Sequence, residues 1–218
     1  GQPATITLSA NPSTIDADNG TSTISAYITD KNGNPATATV NWAASGGNIP
    51  ATSTTINGTA TIIFTSVAPG TYIITGTTNT LLATTTITLS VGQPATITLS
   101  ASTNTFSADL GTTTLSAYIT DKNGNPATTT VYWTTSGGNI PATSTTINGT
   151  ATVIFTSTIP GTYIITATST TLSATATVTI TQGSPTSLSL EPGASNLSTN
   201  GSLTLTAIAK DQNGNTWT

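Results

Sequence analysis

The chain of 218 residues contains no cysteine, histidine, methionine or arginine, and only 5% of its residues are charged. Without cysteine it can form neither disulfide bonds nor thiolate zinc sites. Without histidine and cysteine it also lacks the side chains that most often serve as general base or nucleophile. The composition therefore predicts a protein that is not an enzyme and that has no catalytic site, no metal and no cofactor.

The few charges also limit the partners. The basic residues are three isolated lysines, Lys31, Lys122 and Lys210, whereas nucleic-acid binding requires clustered Lys and Arg to neutralise phosphates. An anionic membrane surface has the same requirement, and no apolar run approaches the roughly 18 residues needed to span a bilayer. We expect neither nucleic-acid binding nor membrane insertion. With seven acidic residues, we also expect little loss of stability in acid.

Repetition is the main positive signal. Gly1–Ser9 recurs letter for letter as Gly92–Ser100, and a third, shorter copy begins at Gly183. A period of about 91 residues is long enough for a domain with its own hydrophobic core. We predict one domain at residues 1–91, a near-identical domain at 92–182, and a partial third repeat at 183–218 that holds only the first two strands.

Within each repeat, alternating segments separated by turn residues predict about seven strands and no helix. In the first repeat the predicted strands are 4–10, 21–29, 36–43, 51–56, 59–65, 71–75 and 81–90. The run 30–35, rich in Asn and Gly, predicts a hairpin turn between the second and third of them. Four aromatic residues occupy the positions at which an immunoglobulin-like sandwich has its core Trp and corner Tyr. We therefore predict structural core roles for Trp42, Tyr72, Trp133 and Tyr163. The predicted fold is all-β, with tandem immunoglobulin-like (Ig-like) β-sandwiches.

Several short motifs carry a resemblance to a known family. They are Asp30-x-Asn32-Gly33-Asn34-Pro35, Val40-x-Trp42, Gly46-Gly47, Thr55-x-Asn57-Gly58-x-Ala60-Thr61 and Pro69-Gly70-Thr71-Tyr72. This pattern resembles the bacterial Ig-like domains of the invasin and intimin group, and the resemblance implies an extracellular, cell-surface setting. The threonine-rich, charge-poor composition is similar to that of archaeal extracellular filament and pilus subunits.

Two functions fit these observations. The first is a structural subunit or segment of an extracellular filament, built head-to-tail from Ig-like beads, whose partners are copies of itself. Two strands cannot bury a face in water, so we expect either that the sequence is part of a longer repeat array or that a strand from another chain completes the third repeat, that is, donor-strand complementation. The alternative is a stalk segment of a cell-surface adhesin, whose partners are adjacent Ig-like repeats and whose binding tip lies elsewhere.

Glycans are the remaining candidate partner, because they would add solubility to a surface with few charges. Five asparagines begin an Asn-x-Ser/Thr sequon, and we predict them as glycosylation candidates: Asn19, Asn57, Asn148, Asn196 and Asn200. Two of them, Asn57 and Asn148, are equally well explained as the first residue of a two-residue turn.

Overall fold

A computed structural model describes residues 1–18 and 20–217, so the predicted glycosylation site Asn19 lies outside the described residues. The described residues form strands and turns, and none of them belongs to a helix that could cross a bilayer. They divide into two compact units. Unit 1 comprises Gly1–Ala95 and Thr120–Ala127, and unit 2 comprises Thr96–Ile119 and Thr128–Thr218. Unit 1 therefore includes residues 120–127, a turn that belongs to the second sequence repeat at 92–182.

Unit 1 is a sandwich of two sheets. Its strands are β1 (Thr5–Asn11), β2 (Thr14–Asp16), β3 (Thr21–Thr29), β4 (Thr39–Ala44), β5 (Thr52–Thr54), β6 (Thr59–Thr65), β7 (Gly70–Thr78) and β8 (Leu81–Ser90). One sheet has the order β1-β3-β6, and the other has the order β2-β8-β7-β4-β5. All pairings are antiparallel except that of β2 with β8.

Unit 2 repeats this arrangement and adds two strands. Its strands are β9 (Thr96–Ala101), β10 (Thr105–Ser107), β11 (Thr112–Thr120), β12 (Thr130–Thr135), β13 (Thr143–Thr145), β14 (Thr150–Thr156), β15 (Gly161–Ser169), β16 (Leu172–Thr181), β17 (Pro185–Glu191) and β18 (Thr206–Asp211). The sheets are β14-β11-β9, β10-β16-β15-β12-β13 and the pair β17-β18. The prediction of tandem Ig-like sandwiches is confirmed.

The core follows from the two-residue alternation of the strands. In β3, Ile24, Ala26 and Ile28 are all completely buried, and the residues between them face outward. Ile24 pairs across the sheet with Ile62 of β6, which is also buried. Threonine occupies many of the outward positions, where its β-branched side chain suits the pleated surface.

Each sandwich has a buried tryptophan with a satisfied indole. Trp42 is 7% exposed and Trp133 is 3% exposed. The indole Nε1 of Trp42 donates to Ser53 Oγ at 2.9 Å, and that of Trp133 donates to Ser144 Oγ at 2.9 Å. A buried N–H without a partner would be costly, so each serine is part of the tryptophan's packing site.

The corner tyrosines are half-buried. The Tyr72 hydroxyl donates to the carbonyl of Ala68 at 2.6 Å, and the Tyr163 hydroxyl donates to the carbonyl of Ile159 at 2.8 Å. The Tyr72 ring lies 5.2 Å from that of Phe64 in a tilted arrangement. This is the tyrosine corner of Ig-like sandwiches, which fixes the loop before the strand.

Two features differ from the sequence-based expectations. The three-residue strands β2 and β10 are not predicted, because three residues are too few to show an alternation. The turn at 30–35 is not a hairpin, since β3 and β4 lie in different sheets and only a single bridge, Thr29 with Pro35, closes it. The chain crosses from one layer of the sandwich to the other at this turn.

The third repeat forms a two-stranded sheet, and its second strand begins at Thr206, later than the predicted Leu203. In unit 1 the corresponding strand β3 is flanked on both sides, by β1 and β6. Within the described part of the third repeat, β18 pairs with β17 alone. Leu188 and Leu190 of β17 are 71% and 54% exposed, so this sheet presents apolar side chains to solvent.

We predict that Trp42→Ala lowers the free energy of unfolding of unit 1 by about 3–5 kcal/mol, because it leaves a large cavity and an unpaired Ser53. Chemical denaturation followed by circular dichroism measures this, because the remaining tryptophans, Trp133 and Trp217, both belong to unit 2. Tyr27→Ala is the control within unit 1, since Tyr27 is 44% exposed and its loss should change stability by less than about 0.5 kcal/mol. Similar effects of both substitutions would contradict the assignment of Trp42 to the core.

Candidate functional site: the repeated aspartate turns

Four of the residues predicted as glycosylation sites lie in turns or irregular segments that the structure describes. Asn57 and Asn148 occupy two-residue turns with φ of 50° and 48°, each followed by a glycine that also has positive φ, as in a type I′ turn. Their side chains are exposed, as are those of Asn196 and Asn200, and glycosylation at these positions stays a prediction. Among the described residues, no group of three His, Cys, Asp or Glu side chains is placed to hold a metal ion.

The densest polar network lies instead at three copies of one turn, which we call the first, second and third aspartate turns: Asp30–Asn34, Asp121–Asn125 and Asp211–Asn215. In the second turn, Asp121 is fully buried. Its Oδ1 accepts hydrogen bonds from the backbone N–H groups of Asn123 and Asn125, both at 2.9 Å. Gly124 has a φ of +85°, a value that favours glycine. The carboxylate thus holds the turn in shape.

The other oxygen of Asp121 reaches the linker between the repeats. Asp121 Oδ2 accepts from the backbone N–H of Gly92 at 3.0 Å and from the side-chain amide of Asn125 at 2.8 Å. One buried carboxylate therefore joins the turn to the start of its own repeat. A buried carboxylate is costly unless it is fully hydrogen-bonded, and these four donors meet that requirement.

The second aspartate turn also binds the end of the first sandwich, within unit 1. The side-chain amide of Asn123 donates to the carbonyl of Ala17 at 2.7 Å, and that of Asn125 donates to the carbonyl of Val67 at 2.9 Å. Ala17 follows β2 and Val67 precedes β7. Two asparagine side chains thus anchor the turn to two loops at one end of the sandwich.

A second carboxylate, that of Asp18, adds a contact between the sandwich and the linker. We call this set of hydrogen bonds among the sandwich end, the linker and the turn the joint. Asp18 Oδ2 accepts from the backbone N–H of Gln93 at 2.8 Å, while its Oδ1 is buried without a hydrogen-bond partner among the described residues. A Cβ atom at Gly92 would collide with this carboxylate. The linker therefore needs glycine at this position, because only a bare backbone can approach Asp18 so closely.

Unit 2 contains the same joint, built from the residues 90 or 91 positions later. The corresponding bonds are Asn213 Nδ2 to Ala108 O at 3.0 Å, Asn215 Nδ2 to Thr158 O at 2.8 Å, Ser184 N to Asp109 Oδ2 at 2.8 Å and Gly183 N to Asp211 Oδ2 at 3.3 Å. A Cβ at Gly183 would collide with Asp109. The third repeat, although it has only two strands, takes part in a complete joint.

The first aspartate turn has the hydrogen bonds within the turn, but among the described residues it makes no hydrogen bond to a sandwich end. Asp30 Oδ1 accepts from the backbone N–H groups of Asn32 and Asn34, both at 2.9 Å, and Asp30 Oδ2 lies 3.6 Å from the N-terminal ammonium of Gly1. Within the described part of the chain, the side-chain amide of Asn34 donates only to the Asp30 carboxylate, at 3.3 and 3.4 Å. The side-chain amide of Asn32 has no hydrogen-bond partner among the described residues.

The hydrogen bonds of the turns lower the pKa of each aspartate. For Asp30 the largest cause is the backbone N–H of Asn34. For Asp121 burial is the largest single influence and raises the pKa, but the hydrogen bonds from Asn125, Gly92 and Asn123 together outweigh it. For Asp211 the side-chain amide of Asn215 lowers the pKa most, against an opposing effect of burial. All three carboxylates are therefore stabilised in their charged form.

Sequence reasoning identified these residues as a turn and missed the joint. A signal was available, since Ala-Asp recurs at 17–18 and 108–109 and the Asp-x-Asn-Gly-Asn run occurs three times. Nothing in the spacing, however, shows that the end of one repeat meets the turn of the next.

Comparisons with known proteins identify the family of the two full repeats. Residues 2–92 match the family model of invasin domain 3, and residues 94–181 match that of bacterial Ig-like domain, group 1. The two full repeats are bacterial Ig-like domains of the invasin and intimin type. These families consist of non-enzymatic adhesin domains, which confirms the prediction that the chain is not an enzyme.

Solved structures show the same fold for these Ig-like domains. Invasin, described as a bacterial integrin-binding protein, is 22% identical with a TM-score of 0.55; the match covers 98% of this chain and 48% of invasin. InvD of Yersinia pseudotuberculosis is 22% identical with a TM-score of 0.61, covering 98% of this chain and 71% of InvD. The chain thus spans about half the length of the invasin structure. A comparison with curated proteins finds no match.

We predict that Asn123→Ala lowers the free energy of unfolding of unit 1 by about 1 kcal/mol, because it leaves the Ala17 carbonyl without its donor. Urea denaturation measures the change. The matched control is Asn32→Ala, at the same place in the first aspartate turn, which should leave stability unchanged within about 0.5 kcal/mol. Equal losses in the two variants would mean that Asn123 acts through the turn alone and that the joint adds no stability.

The lowered pKa of Asp121 predicts a local acid response. Because its folded pKa lies below the ordinary value of 3.8, Asp121 contributes stability above that pH and loses it as the pH falls through the folded value. With so few carboxylates in the chain, the full chain should lose only a limited part of its stability, and only below about pH 4, and Asp121→Asn should reduce this loss. If the free energy of unfolding depends on pH in the same way in both proteins, Asp121 does not cause the acid response.

Proposed function

We propose that this chain is a structural segment of a cell-surface adhesin, a run of Ig-like domains that carries a binding region located elsewhere in the protein. The observation behind the proposal is the joint that occurs in both units with the same donors and acceptors. A joint repeated at a fixed sequence interval serves to connect domains in series. A ligand site, in contrast, needs to occur only once.

The chemistry of the joint supports this role. The acceptors on the sandwich are backbone carbonyls of Ala17 and Val67 in unit 1 and of Ala108 and Thr158 in unit 2. Val67 and Thr158 differ in their side chains, yet the bond persists because the backbone supplies it. The residues following the linker glycines, Gln93 and Ser184, differ in the same way. Such a joint tolerates sequence change while preserving the connection, as a structural segment requires.

Surface display is the first consequence to test. Antibodies raised against the purified chain should label intact cells of the source organism, and protease added to intact cells should remove the label. An antibody against a cytoplasmic protein provides the control for cell integrity. Labelling only after permeabilisation would contradict a surface protein of any kind.

A filament subunit assembled by donor-strand complementation is the second candidate, and one observation favours it. Among the described residues, the β17–β18 sheet has no third strand in the place that β6 takes in unit 1, and it exposes Leu188 and Leu190. A strand from another chain would pair along the edge of β18 and cover apolar side chains.

We predict that if donor strands build a filament, the double variant Leu188→Glu/Leu190→Glu abolishes assembly, because charge on that face opposes burial. Negative-stain imaging and light scattering of the full chain measure it. Ile73→Glu is the matched control, since Ile73 is 50% exposed on an outer sheet face of unit 1. Absence of fibres from the unmodified chain at all concentrations would leave the adhesin segment as the function.

A further inference from the structure

Tyr27 and Tyr118 lie on the outer faces of the two sandwiches, away from the cores. Tyr27 of β3 is 44% exposed and Tyr118 of β11 is 41% exposed. Among the described residues, neither hydroxyl group has a hydrogen-bond partner, whereas the hydroxyl groups of the corner tyrosines Tyr72 and Tyr163 each donate to a carbonyl. Each outer tyrosine therefore presents an exposed ring and an unpaired hydroxyl group at the surface.

A predicted glycosylation sequon borders Tyr27. Tyr27 is the cross-strand partner of Thr59 in β6, and Thr59 forms a bridge with Ile56 across the Asn57-Gly58 turn. Cross-strand partners point to the same face of a sheet, with Cβ atoms about 4.5–5.5 Å apart. Tyr27, Thr59 and Ile56 thus form a row on one outer face, which we call the first tyrosine row. Asn57 directly follows the last member of this row.

Unit 2 contains the same arrangement. Tyr118 pairs with Thr150, and Thr150 forms a bridge with Ile147 across the turn that begins at Asn148. We call Tyr118, Thr150 and Ile147 the second tyrosine row. The isoleucines of the two rows, Ile56 and Ile147, are 78% and 77% exposed, so packing within the sandwich does not explain them. Neither row contains a charged side chain.

We propose that Asn57 and Asn148 carry N-linked glycans and that the first sugars of each glycan pack on the adjacent tyrosine row. A pyranose ring has a face lined with C–H groups, and the face of an aromatic ring is negative, so the two faces attract each other. The isoleucine extends this apolar surface, while the tyrosine and threonine hydroxyl groups can bond to the hydroxyl groups of a sugar. Such a surface suits a neutral sugar.

The turn alone does not require this arrangement. A type I′ turn needs two central residues that tolerate positive φ, and Asn57 and Gly58 meet this need with φ of 50° and 80°. It requires neither a threonine after the glycine nor a tyrosine on the neighbouring strand. The row is also too small for a protein partner. A tyrosine and an isoleucine bury at most roughly 400 Å², whereas stable protein interfaces bury about 1,200 Å² or more.

The attachment of the glycans is tested on the chain purified from its source organism. Mass spectrometry of its peptides should show sugar masses on those that contain Asn57 and Asn148. An unmodified peptide at either position, or sugar confined to Asn196 and Asn200, would overturn the inference. This inference goes beyond the proposed adhesin role, and peptide masses do not depend on surface labelling, so the two can fail independently.

The packing of the sugars is tested by stability in a host that attaches N-acetylglucosamine-based glycans to sequons. Thr59→Val removes the sequon while it keeps the Asn57-Gly58 turn and a β-branched side chain. In the glycosylated chain, Tyr27→Ala should raise the equilibrium constant for unfolding of unit 1 by about fivefold, the effect of one aromatic contact. In the Thr59→Val chain, Tyr27→Ala should leave this constant unchanged. Urea denaturation followed by circular dichroism measures both effects.

The same four chains made in a host without N-glycosylation provide the control, because Tyr27 and Thr59 are also direct neighbours. In that host, Tyr27→Ala should have an equally small effect with and without Thr59→Val. A Tyr27→Ala effect that is the same with and without the glycan would overturn the packing of sugars on the row. A glycosylating host that leaves Asn57 without sugar would overturn the assignment of this exposed turn as an acceptor.

Discussion

One buried carboxylate in each aspartate turn is the constraint on which the organisation of the chain depends. A carboxylate removed from water must find several donors, and the fully buried Asp121 finds them in two places. Its Oδ1 takes the backbone N–H groups of its own turn, and its Oδ2 takes the linker glycine and an asparagine side chain. The shape of the turn and the path of the linker are thus set by one group.

The asparagines convert this local arrangement into a joint. A single side-chain amide has two hydrogens, and Asn125 uses both, one for Asp121 Oδ2 and one for the Val67 carbonyl. The same division occurs at Asn215 in unit 2. An aspartate at these positions could accept but not donate, which explains why the turn pairs one acid with two amides.

Because only 5% of the residues are charged, most of the polar contacts in the chain are hydrogen bonds between neutral groups. The hydrogen bonds given above between the turn and the sandwich join an amide to a backbone carbonyl, and direct hydrogen bonds of this kind are little affected by the screening that weakens exposed ion pairs. Structural similarity to invasin and InvD shows the fold of these domains. The joint adds direct hydrogen bonds between the turn of one repeat and two loops of the repeat before it.

The sequence was sufficient for the sandwich because its signals are local. The strands at 21–29, 59–65 and 81–90 were predicted with the bounds of β3, β6 and β8, since alternation with period two directly reports which side chains face the core. The places of Trp42 and Tyr72 were likewise readable from their strands. The short strand β2 was not, because its three residues are held by pairing with β8, about 75 residues away.

Only the tertiary structure shows which groups the aspartate turns contact. The three turns are nearly identical in sequence, yet Asn123 and Asn213 donate to carbonyls of distant loops while Asn32 has no such partner among the described residues. The acceptors are backbone carbonyls, which every residue possesses and which leave no trace in the sequence. The sequence by itself therefore determined the Ig-like sandwiches and the turn between their two sheets. The tertiary position of the loops that hold Ala17 and Val67 determined that the turn forms a joint.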